Sequence, residues 1–291
     1  MNGYSYPCLG ALIGDTIGSV YELNNIKTTD FPLFSRKSNY TDDSIMTMAV
    51  ASWLVNTDRS LSALEDTLVD FASRNPYPPL GGYGNEFRKW VFTPERLQDF
   101  DGKVYSDGKR HPYNSFGNGS AMRASACGWL ARSIEEALDL GKRSAEVTHN
   151  HLEGIKGAQA VSAAIFMARN ATLKDEIRDY LEMTFGYDLH HTCEEIHRSY
   201  GWDATCQGTV PPAFMAFFDA NDFEEAIRLA VSLGGDSDTL ACITGSIAQP
   251  YFTDISDEII RKMKVLLPEE FWIIIRKIYY CINHGYNYTN H

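Results

Sequence analysis

The chain has no apolar run approaching the roughly 18 residues that a membrane-spanning helix needs. A membrane protein of the helical kind is therefore not expected. Positive charge is also scarce. Lys and Arg number 26 against 38 Asp and Glu, a net charge of −12 over 291 residues. The basic groupings are short and interrupted, such as "GKRH" at 108–111 and "RKMK" at 261–264, and read as solvated faces. Without a concentrated basic stripe, direct nucleic-acid binding is not expected. The six cysteines (Cys8, Cys127, Cys193, Cys206, Cys242, Cys281) are scattered, and no two are close enough to form a zinc-type pair. They read as buried free thiols in a reducing compartment. The opening stretch lacks a basic n-region, and Asp15 interrupts its apolar residues, so a secretory signal is not expected either. The combined expectation is a cytoplasmic protein. Internal repeats, low-complexity tracts and linker-like shifts are missing too, which favours one domain over residues 1–291.

Strand signals are as sparse as basic ones, and no hairpin turn is flanked by alternating residues. Apolar residues recur instead at helical spacing. Ile45, Met48, Ala49, Ser52 and Val55 form one stripe, and Ile155, Ala158, Val161, Ser162 and Ile165 form another. "DFEEAIRLAVSLGG" opens on Asp222 as an N-cap and stops at Gly234. "EEFWIIIRKIYYCINHG" reads as a last helix closing on Gly285. The fold class expected is all-α, one compact multi-helix domain. The exception is the segment from Asn75 to Gly119, dense in Pro, Gly, Asp and Tyr, which reads as an irregular binding loop.

Two clusters concentrate carboxylates at helix starts. "YTDDS" at 40–44 sets Thr41, Asp42 and Asp43 before an amphipathic run, and "GGDSDTLAC" at 234–242 sets Asp236, Asp238 and Thr239 before another. Each cluster alone reads as an N-cap, since short oxygen-bearing side chains accept the free N–H groups there. Each helix needs one cap, however, and surplus carboxylates brought together repel one another. Divalent cations would remove that repulsion. All-oxygen donors suit Mg²⁺ or Mn²⁺, and four carboxylates exceed what one hard cation requires, which suggests two. Twin caps and a metal centre both remain open on this pattern.

Three further stretches carry chemistry. In "GALIGDTIGSVYE" (10–22), Gly10, Gly14 and Gly18 would bare one helix face for close packing. Asp15 and Glu22 on that otherwise small and apolar stretch need a partner, which a metal centre would supply. "NSFGNGSAMR" (114–123) resembles an anion cradle at a helix start, with Phe116 a base-stacking candidate or an ordinary core aromatic. In "THNHLEG" (148–154) the two histidines would diverge on a helix, so at most one faces a site, the other being a cap or a core residue.

Taken in order, "GALIGDTIGSVYE", "YTDDS", "GNGSAMR", "THNHLEGIKGAQA" and the stretch "TVPPAFMAFFDANDFEEAIRLAVSLGGDSDTLACITG" resemble one family, the ADP-ribosylglycohydrolases. These include dinitrogenase reductase-activating glycohydrolase and the ADP-ribosyl-acceptor hydrolases. The resemblance spans residues 10 to 245. It implies an all-α domain around a binuclear Mg²⁺ or Mn²⁺ centre at the base of a cleft. It also implies cleavage of the glycosidic bond between ADP-ribose and an acceptor, either a modified protein side chain or a small conjugate. A catalytically silent ADP-ribose-binding module is the alternative.

Carried onto this chain, the resemblance makes Thr41, Asp42, Asp43, Asp236, Asp238 and Thr239 the metal ligands. Glu22, Asp42 and Asp238 become the catalytic positions, with Glu22 orienting water or stabilising the oxocarbenium-like transition state. Ser115, Gly117, Asn118 and Gly119 match a loop holding the diphosphate and distal ribose, Phe116 an adenine-stacking position, and His149 a cleft histidine. "GGYG" at 81–84, with Gly82 and Gly84, looks like a further ribose-side loop. The stretch 85–113 departs from the family pattern. An additional catalytic aspartate of some bacterial relatives would fall there, with Asp99, Asp101 and Asp107 its candidates.

Overall fold

A computed structural model describes residues 5–80, 82–92 and 109–285. Gly81 and the candidates Asp99, Asp101 and Asp107 lie outside the described residues. Fifteen helices account for the regular structure among them: α1 (Leu9–Gly18), α2 (Asp42–Asn56), α3 (Leu61–Arg74), α4 (Asn85–Phe92), α5 (Gly119–Met122), α6 (Ser125–Leu130), α7 (Ile134–Glu146), α8 (Leu152–Arg169), α9 (Lys174–Phe185), α10 (Cys193–Ile196), α11 (Cys206–Asp219), α12 (Phe223–Ser232), α13 (Ser237–Phe252), α14 (Asp257–Leu266) and α15 (Glu269–His284). An isolated bridge pairs Gly117 with Thr205. The all-α expectation holds.

Local sequence explains the ends. The Asp222 side chain accepts the Glu225 N–H at 2.8 Å and starts α12. Gly234 and Gly235, both at φ +71°, turn the chain out of it and into α13. Gly285, at φ +79°, closes α15.

The centre of the molecule is α13, whose residues from Ser237 to Pro250 are all buried. It packs on α1, α8, α11 and α12. The glycines of α1 make that approach possible. A Cβ on Gly14 would sit 1.9 Å from the Ala241 carbonyl oxygen, and one on Gly10 would sit 2.2 Å from that of Gly245. Backbone therefore lies on backbone, and α1 and α13 are held in fixed register. All six cysteines are buried and free, as their scatter implied.

Two expectations change. The α2 stripe is not one face of a surface helix: every residue from Asp43 to Ala51 is buried, while Ser52 and Val55 are only half-buried. Core packing on all sides of α2 overrides the 3.6-residue pattern. The segment from Asn75 to Gly119 is also not wholly irregular, because it contains α4. There Phe87, Trp90 and Val91 bury one face at i, i+3, i+4 spacing.

Candidate metal centre and cleft

The acids come together where the N-termini of α2 and α13 meet the end of α1. At α2 the cap is Thr41, whose hydroxyl oxygen accepts the Asp43 N–H at 3.2 Å. At α13, Asp236 occupies the cap position but makes no side-chain cap bond. It accepts instead from Asn118 Nδ2 at 2.7 Å. Asp238 Oδ1 accepts the first-turn N–H of Thr239 at 2.9 Å, but no hydrogen bond from a first-turn N–H to the side chain of Asp43 or Asp236 occupies those carboxylates, so capping does not explain the cluster.

Asp15 supplies what Thr41 leaves undone. This fully buried side chain on α1 accepts the Thr41 N–H at 2.9 Å, the Ser44 N–H at 3.0 Å and the Thr41 hydroxyl at 2.7 Å. The Ser44 hydroxyl donates to it as well. A carboxylate from one helix thus ties down the first turn of the next. The Thr41 hydroxyl is turned toward Asp15, and Thr41 does not line the cleft.

Ligand atoms of Asp15, Asp43 and Asp238 approach within 4.8 Å of one another, and those of Glu22, Asp236 and Asp238 do the same. Asp238 belongs to both groups. No lysine or arginine pairs with these acids among the described residues, and their acidities record it. Burial, reinforced by neighbouring carboxylates, pushes Asp42 up to about 7 and Glu22 to about 6. Burial also raises Asp15 to about 6 despite its four hydrogen bonds. Asp43 and Asp238 are pushed well above the usual carboxylate range by burial and then by nearby acids.

The donor set fits a hard divalent cation: all oxygen, mostly buried, in two groups sharing one carboxylate. A buried, unpartnered Asp43 Oδ1 supplies the structural test. An ionised oxygen shut away from water without a partner is costly, and a cation is the partner that chemistry offers.

Above the acids lies a cavity of about 380 Å³. Asp42, Asp43, Asp236, Asp238, Thr239 and Glu22 line its floor side, and Gly82, Gly84, Ser115, Gly117, Asn118, Gly119 and His149 line its walls. The 115–119 loop is anchored from outside. Asn118 N–H donates to Ala204 O at 2.8 Å, and Cys206 N–H donates to Phe116 O at 2.8 Å. The helix opening at Gly119 is a single turn, so its dipole is weaker than a full helix would provide. Phe116 does not line the cavity; its ring packs 5.3 Å from His151. His149 lines the cavity, and His151 caps α8 by accepting the Glu153 N–H at Nδ1.

Among the lining residues that sequence reasoning missed are Tyr113, Arg123 and Trp202. Trp202 is 57% exposed, an unusual position for so large an apolar ring. Its only sequence signal was a tryptophan in a Gly- and Asp-bearing loop. Asp15 had a clear signal, a lone acid among glycines and aliphatics.

The family model described as ADP-ribosylglycohydrolase matches residues 8–249. Among curated proteins, the chain is similar to ADP-ribosylhydrolase ARH3 of Bos taurus, 26% identical and covering 84% of each chain. The Homo sapiens ADP-ribosylhydrolase ARH3 is 25% identical with the same coverage. ADP-ribosylarginine hydrolase Tri1 of Pseudomonas putida is 22% identical over 82% of this chain and 68% of that one. A solved structure of an ADP-ribosylglycohydrolase-related protein complex superposes with a TM-score of 0.68 at 22% identity, covering 96% of this chain and 97% of the other. That likeness establishes a common fold.

Proposed function

Because this chain belongs to the ADP-ribosylglycohydrolase family of glycosidic-bond hydrolases, we propose that it frees ADP-ribose from modified protein side chains in a divalent-metal-dependent reaction. The observation that carries the reading is the pair of carboxylate groups joined through Asp238 beneath a cavity large enough for a nucleotide diphosphate. Asp42, Asp43, Asp236 and Asp238, with Asp15 and Glu22, would hold two cations. Thr239 contributes its hydroxyl from the floor, and Thr41 acts from behind by fixing Asp15. Bound there, Mg²⁺ or Mn²⁺ supplies Lewis acidity toward ribose hydroxyls and a water of lowered pKa.

In the reaction, water adds to the anomeric carbon, the bond to the acceptor breaks, and the acceptor leaves with a proton. Positive charge grows at that carbon, and the carboxylates at the floor offset it. Glu22, half-buried at the cavity edge, orients the attacking water. Gly82 and Gly84 have nothing within 4 Å of where a Cβ would stand, which leaves room for the ribose. Ser115, Gly117, Asn118 and Gly119 take the diphosphate side. We assign the base-stacking role to Trp202 rather than to Phe116, because Trp202 lines the cavity. The six buried, unpaired thiols favour a reducing, cytoplasmic setting, and no helix among the described residues is long and apolar enough to cross a membrane.

The test is release of ADP-ribose from arginine-linked, serine-linked and small-molecule conjugates with Mg²⁺, with Mn²⁺ and after chelation. Metal-dependent release that Asp238→Ala and Asp42→Ala both abolish is expected. Binding of ADP-ribose without release from any conjugate would replace the hydrolase with a binding module.

A further inference from the structure

Arg123 is 1% exposed, yet among the described residues no carboxylate lies in ion-pair range of it. Its Nε and one terminal nitrogen donate to Ser144 O at 3.2 and 2.7 Å, and that terminal nitrogen also donates to Thr148 Oγ1 at 2.8 Å. Thr148 Oγ1 in turn lies 2.7 Å from His149 Nδ1. Ala145 O also lies within reach of the threonine proton, at 3.4 Å, a much poorer contact, and the Tyr113 hydroxyl hydrogen-bonds Thr148 as well. Since arginine can only donate, the Thr148 oxygen accepts on that side, and its single proton goes to the closer partner. With the threonine proton so placed, His149 Nδ1 accepts and the ring proton resides on Nε2.

Nε2 points to the cavity wall. A Cβ on Gly119 would stand 3.2 Å from it, and one on Gly117 would stand 3.6 Å away. Glycine at both positions keeps that nitrogen reachable from the cavity that Ser115, Gly117, Gly119 and His149 line together.

We propose that Arg123 and Thr148 are positioning residues that lock His149 as a neutral imidazole presenting an Nε2–H donor to an oxygen of the bound nucleotide. The proposal rests on the ADP-ribose reading above. An uncharged donor suits this cavity, because a cationic histidine would compete with metal for the same carboxylates. The charged and titratable groups around the ring favour neutrality. Arg123 repels an imidazolium and Tyr113 packs its ring 6.0 Å away, while the lining acids, which would favour the cation, are not among the groups that shift the ring. Burial, followed by the Arg123 charge, lowers the basicity of His149 well below the ordinary range.

The test is long-range ¹H–¹⁵N correlation of the full-length ¹⁵N-labelled protein, with the His149 signal assigned by its loss in His149→Gln. The expected pattern is protonated Nε2 and bare Nδ1, unchanged from about pH 8 to 5.5. Protonated Nδ1, or an imidazolium within that range, would overturn the proposal. Thr148→Val should mix the tautomers and weaken ADP-ribose binding about tenfold, and Thr148→Ser should restore both. A tautomer change in Thr148→Val without loss of affinity would also overturn it. The wild-type spectrum needs neither ligand nor metal, so it decides the tautomer even if Thr148→Val fails to fold. If that spectrum is as expected but wild-type protein does not bind ADP-ribose, the functional reading fails, and the donor role falls with it.

Discussion

Gly18→Ala separates site geometry from general stability. Gly18 ends α1 against the first turn of α13, and a Cβ there would stand 2.4 Å from Ser237 O, 2.6 Å from Asp238 Cα and 2.7 Å from Asp238 N. Reaching an ordinary contact of 3.4 Å requires a shift of about 1 Å, and the obstructing atoms are backbone. Overpacking of this kind costs about 1–3 kcal/mol, offset by up to about 1 kcal/mol from the better helix propensity of alanine. The net loss of about 1–2 kcal/mol corresponds to a Tm lower by about 2–8 °C. The larger effect falls on Asp238, the carboxylate common to both acidic groups. Metal ligation tolerates errors of only about 0.2 Å, so Mn²⁺ affinity should fall at least about tenfold. Gly10→Ala is the control. Its Cβ meets Gly245 O at 2.2 Å, a comparable clash two turns further along α13. It should lower Tm similarly while leaving Mn²⁺ affinity within about twofold. Calorimetric titration with Mn²⁺ and thermal melts in chelator read the two effects separately. Equal losses of affinity in both variants, or no loss in Gly18→Ala, would refute the argument.

Asp43→Asn should abolish metal binding and yet raise the Tm of the chelated protein by about 2–5 °C, because burial disfavours the charged carboxylate; a lower Tm in chelator would contradict this. Without metal, stability should fall as pH rises from about 4 to about 7. Asp15, Glu22 and Asp42 are raised to about 6, 6 and 7, so the folded state holds protons that the unfolded chain releases near pH 4. The stabilisation from added Mg²⁺ should grow across that window, and a flat metal-free melt profile would count against the uncompensated cluster. Trp202→Ala should raise the Kd for ADP-ribose about tenfold, the scale of one lost stacking contact, with Tm unchanged because the ring is 57% exposed. Unaltered affinity would move the base elsewhere.

Much of the site was legible because its donors lie in short runs at helix N-termini, where carboxylates next to Thr or Gly are conspicuous. Counting caps against carboxylates raised the metal reading, and the hydrogen bonds at the helix starts are arranged differently from twin caps. Thr41 caps its own helix, Asp15 reaches across from another, and Asp236 caps nothing. Which acids share a centre was not legible. Asp15 and Asp238 meet only because α1 and α13 lie backbone to backbone, a register fixed by Gly10, Gly14 and Gly18 acting through contacts more than 200 residues apart in sequence. Periodicity exposed the glycine face but carried no information about its partner. The walls were less legible still. Phe116 stands beside the loop motif and packs on His151 outside the cavity lining, whereas Trp202 lines the cavity from a loop held by the Asn118–Ala204 and Phe116–Cys206 hydrogen bonds. Motif neighbours are placed by the chain and cavity neighbours by packing. An aromatic near a motif in sequence is therefore weaker evidence for a ligand contact than a large ring left exposed at a cavity mouth.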